Sequence, residues 1–306
     1  MLRFLFRRAL LAVTVALVAS FLSFALINGS RDVAAALAGE SATQADIEIV
    51  RQRYGLDRSL LVQYADWLSG AVRGEFGDSV LYRRPVLPII TEHAAPTLQI
   101  GLSAILLALA ISVPVGCLMA TRRGGAFDRI ASALLVANQA MPGFWISLLL
   151  IYIFAVQLRW LPAAASGGWQ SYILPVLAVT LVALPPMTRM MKAGMIDTLR
   201  ADFMRTARSK GIGRYRIVLL HALPNAVTPL VALLSVQFGA ILAGSVVIEV
   251  VFSVKGLGYL AWYSITTADF AIVQAVVLVI TLIYAFMTLL MDALNYWLDP
   301  RARTRS

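Results

Sequence analysis

Few residues in this 306-residue chain have the types and spacing that enzyme chemistry uses. The two histidines, His93 and His221, belong to no His-Glu-x-x-His zinc pair. Ser103 lacks the final glycine of a serine nucleophile elbow, and no Gly-x-x-x-x-Gly-Lys loop could hold nucleotide phosphates. The single cysteine, Cys117, forms no thiolate cluster or disulfide framework. The sequence therefore predicts no catalytic residue, no metal site and no enzyme activity in this chain.

Polar side chains within otherwise apolar runs form a second set of candidates. These are Asn138, Gln139, Gln237 and Glu249. Polar groups inside a membrane are costly and often mark a substrate pathway. They can also serve as hydrogen-bond donors and acceptors between packed helices. The sequence leaves both roles open, the lining of a pathway and interhelical contacts.

A basic segment, Asp202–Val227, forms the third candidate. Five of its residues between Arg205 and Arg216 are Arg or Lys. The absence of Gly and Pro from Ala201 to Lys210 predicts a helix, which Gly211 should end with a positive φ. A second helical piece should follow, and Leu223-Pro224 should begin the next apolar run. A short helix between two turns suits docking into a groove of a partner. The alternative is a solvated basic loop at the lipid headgroups.

The elements that position these candidates are apolar runs long enough to cross a bilayer. The chain is 60% apolar and 14% charged, against roughly 25% charged residues in soluble domains. Six runs contain no charged residue and reach the length that spans a membrane, which is about 20 residues: Ala9–Asn28, Thr97–Thr121, Ile130–Leu158, Gln170–Thr188, Ala222–Ile248 and Phe270–Met291. We expect an all-α integral membrane protein with six transmembrane helices.

The distribution of charge predicts the orientation of these helices. With both termini in the cytoplasm, the inner segments hold 17 of the 26 basic residues but only five of the 16 acidic ones. Cytoplasmic flanks of membrane helices collect Lys and Arg in this way. The net charge of +10 is therefore assigned to topology, and no nucleic-acid partner is expected. This orientation places the basic segment in the cytoplasm, between the fourth and fifth spans.

A long connecting segment, Ser30–Pro96, follows the first span and is predicted to lie outside. An apolar helical face within it suits packing on the membrane surface or on other spans: Leu60, Leu61, Tyr64, Trp67, Leu68 and Val72. Ala36-Leu37-Ala38 is similar to a signal-peptidase site, but the apolar run before it is longer than a signal core. We expect the first span to be retained, and residues 1–306 to form one membrane domain.

The spacing within the basic segment resembles the coupling loop of permeases of ATP-binding-cassette (ABC) importers. That loop carries Glu-Ala-Ala, three residues, Gly, nine residues, an apolar residue, one residue, and Leu-Pro. Here Gly211 and Leu223-Pro224 have this spacing, Arg205-Thr206-Ala207 stands at the Glu-Ala-Ala position, and His221 stands at the apolar one. The Arg-Thr-Ala version resembles that of the peptide and nickel importer branch.

Short motifs along the chain resemble the first permease of the same branch. They are Tyr54-Gly55-Leu56-Asp57, Gln63-Tyr64, Trp67-Leu68, Gly77-Asp78-Ser79, Pro96-Thr97-Leu98, Met141-Pro142, Phe144-Trp145, Leu161-Pro162, Glu249-Val250-Val251-Phe252, Gly256-Leu257-Gly258 and Leu298-Asp299-Pro300-Arg301. The core of the resemblance covers about residues 95–300, preceded by the first span and the amphipathic connecting segment over residues 1–94. Departures are Asn28-Gly29-Ser30-Arg31-Asp32 after span one, Lys255 where proline is usual, and Ala271 where proline is also usual.

The resemblance implies a multi-pass subunit of the bacterial or archaeal cytoplasmic membrane. Its implied partners are a second permease, two ATPase subunits, membrane lipid, and a periplasmic or lipid-anchored substrate-binding protein. ATP and Mg²⁺ would be bound by the ATPases, and this chain would hold no cofactor. The implied cargo is a peptide or a similar small solute, with nickel chelates, opines, glutathione-like molecules and oligosaccharides left open. The rival functions are an ion-coupled secondary carrier or channel, and an intramembrane hydrolase.

Overall fold

The computed structural model of the protein describes residues 2–30, 33–38, 42–53, 55–165 and 167–298. Across these residues the fold is helical, with one isolated β-bridge between Asp78 and Pro85. The α-helices are α1 (Leu2–Ser30), α2 (Val33–Ala38), α3 (Gln44–Arg53), α4 (Leu60–Val72), α5 (Val86–Thr121), α6 (Ala126–Ala140), α7 (Gly143–Leu150), α8 (Ile173–Arg200), α9 (Asp202–Ser209), α10 (Arg214–Arg216), α11 (Leu223–Ala226), α12 (Thr228–Val251), α13 (Leu257–Thr266) and α14 (Phe270–Leu298). Two π-helical segments, Ile151–Gln157 and Ile217–Ala222, and a 3-10 turn, Trp169–Tyr172, complete the helical elements.

Five helical stretches are long and apolar enough to cross a membrane. They are Phe6–Gly29, Val86–Thr121, Trp169–Arg200, Thr228–Val251 and Phe270–Trp297. Each overlaps one of the charge-free runs, so the prediction of an all-α membrane protein is confirmed. A sixth candidate is a bent pair of helices, which brings the number of spans to six if the pair counts as one crossing.

The bent pair lies over the predicted third span, Ile130–Leu158, and divides it into two helical parts. Helix α6 ends at Ala140. The helical stretch that follows, Gly143–Gln157, is bent by 103° from the axis of Ala126–Ala140. Met141 and Pro142 are both extended, with ψ of 130° and 143°. A proline disfavours helical geometry in the residue before it and cannot donate a backbone hydrogen bond. Pro142 therefore accounts for the break.

The chain divides into two compact units, and the first is built around α8. This unit comprises Met1–Phe6, Leu98–Val254 and Met287–Ser306. Helix α8 packs against α6, α7, α11 and α12. Along its length α8 buries a row of apolar side chains, among them Leu174, Met187, Met191 and Met195. Because neighbouring helices cover α8 on several sides, many of its 28 residues are buried.

The second unit comprises Arg7–Thr97 and Lys255–Phe286 and has its own apolar core. That core joins α1, the loop between α4 and α5, the first turns of α5, helix α13 and the first turns of α14: Ala16, Phe76, Val86, Ile89, Ile90, Leu257, Leu260, Ile272, Ala275, Val276 and Leu278. At its edge the Thr97 hydroxyl accepts the backbone N–H of Leu257 at 2.8 Å. This bond fixes the start of α13.

Helix α4 of the connecting segment packs against α1, as its apolar face predicts. The Tyr64 hydroxyl lies 2.7 Å from the Ser20 hydroxyl, and the rings of Phe21 and Phe24 meet the Tyr64 ring edge-on. Two members of the predicted face remain uncovered, since Leu61 and Val72 are 68% and 82% exposed. The contact therefore uses only the middle of the predicted stripe.

Candidate coupling and translocation sites

Helix α9 is the short helix predicted from the basic segment, and it has one buried and one exposed face. It spans Asp202–Ser209 and carries Asp202 in its first turn and Arg208 in its last, which matches the helix dipole at both ends. Met204 and Ala207 are buried, whereas Arg205 and Thr206 are exposed. The helix is therefore held by the two buried side chains and presents Arg205 and Thr206 to the outside.

Gly211 ends this helical region in the left-handed conformation that the sequence predicts. Its φ is +74°, and a Cβ placed on it would meet no atom within 4 Å. Space therefore does not require a glycine at this position. The backbone conformation does, because L-residues with a side chain rarely adopt it.

The second helical piece follows, but Leu223-Pro224 does not begin the next span. The chain passes through α10, the π-helical Ile217–Ala222 and α11 before α12 starts at Thr228. Pro224 and Pro229 each stand in the first turn of their own helix. A proline is accepted there but lacks the N–H that would continue a preceding helix. Pro229 therefore separates α11 from α12, and the next span begins at Thr228 rather than at Leu223-Pro224.

The backbone of the basic segment lies directly against the backbone of α8 at Gly194. A Cβ placed on Gly194 would lie 2.6 Å from the Ala226 carbonyl oxygen, so only glycine allows this contact. Nearby, a Cβ on Gly116 of α5 would lie 2.8 Å from the Cβ of Met191. Glycine at these two positions lets α5, α8 and α11 approach closely. The sequence analysis missed both contacts, because a glycine inside a helical run carries no signal of its neighbour.

Asn138, a pathway candidate, makes a contact between helices. Its Nδ2 donates to the Leu181 carbonyl of α8 at 2.5 Å. Pro185, four residues further along α8, has no N–H to donate to that carbonyl. Asn138 therefore satisfies an acceptor that the proline leaves open. The same side chain lines an apolar cavity of about 410 Å³ between α5, α6 and α8.

The other pathway candidates differ in their burial. Gln139 is exposed at the end of α6, Gln237 is half-buried, and Glu249 is fully buried. Gln237 and Glu249 lie on the same helix, α12, about 18 Å apart at 1.5 Å per residue. The structure therefore places two of the four candidates side by side on α6 and two on α12.

Two buried carboxylates carry contacts that the sequence analysis did not identify. Asp128 of α6 pairs with the Lys192 ammonium of α8 and accepts the backbone N–H of Gly124 at 3.0 Å. In the second unit, Asp269 accepts the Ser79 hydroxyl at 2.5 Å and the Leu81 N–H at 3.1 Å. In the sequence, Asp128 lies in a cluster of basic residues that was assigned to membrane topology, and Asp269 lies beside Ala271, which was considered only for the family resemblance. Its partner is distant along the chain, so spacing gave no signal.

Among the described residues, no group of three or more His, Cys, Asp and Glu side chains could hold a metal ion. A cavity of about 460 Å³ lies in the second unit, with aromatic side chains and charged ones in its wall: Phe24, Trp67, Phe76, Phe270, Arg53, Arg58, Asp66 and Asp78.

Beside the loop at Ser79, burial raises the pKa of the Tyr82 phenol, and the nearby Tyr263, Tyr259 and Asp269 raise it further.

These features define a helical membrane protein, with a short helix between two of its spans that has one exposed face. Residues 112–304 match the family described as "Binding-protein-dependent transport system inner membrane component", and residues 1–96 match its N-terminal part, "Binding-prot-dependent transport system membrane comp, N-term". The chain belongs to this family. It is the permease subunit of an ABC importer, a membrane transport protein rather than an enzyme, and the ion-coupled carrier receives no support.

Curated relatives match the chain over nearly its whole length. The chain is 36% identical to "Glutathione transport system permease protein GsiC" of Escherichia coli strain K12, over 304 residues and 99% of each protein. The GsiC protein of Shigella dysenteriae serotype 1 is equally similar. Among solved structures, the methionine ABC transporter MetNI in an inward-facing conformation gives a TM-score of 0.57 at 18% identity, covering 69% of this chain and 96% of that one. This last likeness concerns the fold.

Proposed function

We propose that this chain is the first permease of a heterodimeric importer for short peptides or glutathione-like solutes. The observation that carries the proposal is the full-length similarity to GsiC, a permease named for glutathione transport. Importers of this family work with a second permease, ATPases and a binding protein. In the proposed assembly two ATPase subunits bind ATP and Mg²⁺, and a periplasmic or lipid-anchored binding protein delivers the solute. Nickel chelates, opines and oligosaccharides are the competing cargoes.

The coupling site is proposed to be the exposed face of α9 and the turn that follows. Arg205 and Thr206 would contact an ATPase, and Ala207 would anchor the helix from its buried side. Gly211 would set the direction of the chain after α9. Leu223 and Pro224 would connect this motion to α12, since they lie in the short helix before it. ATP-driven closure of the ATPases would then open the pathway alternately to each side.

The translocation pathway is proposed to draw on polar groups of the first unit. Gln139 is exposed beside the break between α6 and α7, and Gln237 is half-buried in α12. Asn138 and Glu249 are proposed to serve it more indirectly, because Asn138 is bonded to Leu181 and Glu249 is buried. Glu249 would be uncovered only if α12 moved during transport.

Both termini and the basic segment are proposed to lie in the cytoplasm, as the distribution of basic residues indicates. A cysteine placed at Ser41 of the connecting segment would test this orientation by labelling, but Ser41 lies outside the described residues. Ser59 of the same segment is exposed and serves the same purpose. In a Cys117→Ala background, Ser59→Cys should react with an impermeant maleimide on intact cells. Ser209→Cys should react only after permeabilisation. Labelling in the opposite order would reverse the proposed topology.

The proposed function is tested by reconstituting the full transporter in proteoliposomes. We expect uptake of short peptides or glutathione that needs ATP, both permeases, the ATPases and the matching binding protein. The purified chain alone should neither bind nor hydrolyse ATP. Uptake driven by an ion gradient without ATP would contradict the proposal, as would ATP turnover by the verified, partner-free chain. Preferential uptake of a nickel chelate, an opine or an oligosaccharide would replace the proposed cargo.

A further inference from the structure

Two arginines of the basic segment bind the carboxyl ends of two membrane helices. The Arg208 guanidinium donates through Nη2 to the Leu199 carbonyl at 3.0 Å, and Leu199 lies in the last turn of α8. The Arg214 guanidinium donates through Nη2 to the carbonyl of Thr121, the last residue of α5, at 3.1 Å. The final carbonyls of an α-helix lack partners within the helix and carry partial negative charge, so they attract a cation.

The two contacts stand on either side of Gly211. Arg208 belongs to the last turn of α9, before the left-handed glycine, and Arg214 begins α10, after it. The contact made by Arg208 joins residues nine apart in sequence, whereas that made by Arg214 joins residues 93 apart. Arg214 thus ties the basic segment to a helix that is not its neighbour in the chain.

We propose that Arg208 and Arg214 are positioning residues that fix α9 to the ends of α8 and α5. This inference rests on the proposed function, in which α9 receives motion from an ATPase. The Arg208 contact reinforces a connection that the backbone already makes through Ala201. The Arg214 contact supplies a second connection and passes motion of the segment to α5. Both guanidiniums are exposed, so each contact is weak enough to break and reform during a cycle.

The inference separates two arginines that sequence alone treats as equivalent. The sequence suggests that Arg214 and Arg216 lie beyond the helix and matter little. Arg216 is also exposed, yet no hydrogen bond from its guanidinium is seen to any described residue. Arg216 is therefore a control of the same charge and residue type, two positions from Arg214.

The test compares Arg214→Gln with Arg216→Gln in the reconstituted transporter. Arg214 is preferred to Arg208 because Arg208 lies on α9 and could also touch an ATPase. We expect Arg214→Gln to retain the ATPase subunits and hydrolyse ATP at the parent rate, while solute moved per ATP falls about threefold, the effect of roughly 0.6 kcal/mol for a cation at a helix carboxyl end. Arg214→Lys should be intermediate, because the ammonium keeps the charge but not the fork of donors. Arg216→Gln should equal the parent.

A second measurement examines the contact itself and does not depend on transport. In the purified chain, Arg214→Gln should speed hydrogen–deuterium exchange of the amides at residues 121–125, and Arg216→Gln should not. Equal exchange and equal solute per ATP in the two variants would overturn the inference. Loss of ATPase binding by Arg214→Gln would also overturn it, because Arg214 would then be a docking contact. If the parent transporter moves no solute with ATP, the proposed function fails while the exchange result still decides the contact.

Discussion

Two polar connections in this molecule are held by different physical means. The Ser79 loop, Gly77–Pro85, is held in the second unit by the buried carboxylate of Asp269, which accepts donors from Ser79 and Leu81. The basic segment is held in the first unit by the close backbone approach at Gly194 and by exposed arginines. A buried charged acceptor makes a contact that is costly to open, whereas exposed guanidiniums exchange easily with water. The side-chain contacts of the loop are therefore harder to open than those of the basic segment.

The largest expected effect comes from breaking the Ser79 loop. Asp269→Ala leaves the Ser79 hydroxyl and the Leu81 N–H without their acceptor, and it removes the bond that the Ile272 N–H donates to Asp269 at the start of α14. We expect the free energy of unfolding to fall by about 3 kcal/mol, since a buried donor without a partner costs about 1–3 kcal/mol. The measurement is thermal unfolding of the purified protein in detergent.

Asp78→Ala is the matched control for the loop. Asp78 is exposed, and its backbone rather than its side chain pairs with Pro85. Its unfolding temperature should equal that of the parent. If Asp269→Ala is as stable as Asp78→Ala, the loop is not held by the carboxylate.

The next effect concerns the backbone contact of the basic segment. Gly194→Ala would place a methyl group 2.6 Å from the Ala226 carbonyl oxygen and force α11 away from α8. We expect a loss of about 1–3 kcal/mol, the usual cost of overpacking, together with loss of coupled transport. In α12, Gly244→Ala meets no atom within 4 Å and should leave stability and transport unchanged or improved. Equal behaviour of the two variants would mean that the contact is not tight in solution.

The smallest effect on stability, and the most specific to movement, is expected at Gly211. Gly211→Val introduces a β-branched residue at a φ of +74°, with a strain of about 1–2 kcal/mol. We expect normal membrane levels, yet weaker ATPase co-purification or lower solute-stimulated ATP turnover in proteoliposomes. Gly213→Val is the control, because Gly213 has the extended φ and ψ of −61° and 146°. Parent-like coupling in Gly211→Val, or a failure to insert, would remove the coupling role from this turn.

The sequence predicted those parts of the fold that depend on local chemistry. Charge-free runs identified the membrane helices, because burying charge in lipid is costly whatever the neighbours are. The left-handed Gly211 was also predictable, because the end of a helix imposes its geometry locally. The break at Pro142 was only partly so, since membrane helices tolerate many prolines and the response depends on packing.

Contacts between distant residues could not be predicted in the same way. Asn138 was a candidate for its polarity, but its bond to Leu181 depends on which helix packs beside α6. The same holds for Asp269 with Ser79, and for Arg214 with Thr121. One sequence states which groups need partners, and only the packing decides which partners they find.

The two prolines of α8 have a mechanical consequence for the contact at Gly194. Pro185 and Pro186 divide this helix into two arms of similar length, and Gly194 lies on the C-terminal one, about 12 Å from Pro186 at 1.5 Å per residue. The contact between Gly194 and Ala226 is between backbone atoms, so no side chain can change rotamer to absorb a displacement. A displacement of α11 would therefore move that arm of α8 directly. With the prolines as fulcrum, the N-terminal end of α8, about 18 Å from Pro185 at Ile173, would swing further than Gly194, which lies about 12 Å from Pro186 on the other side. Helix α8 would then act as a lever that amplifies a small displacement at the basic segment.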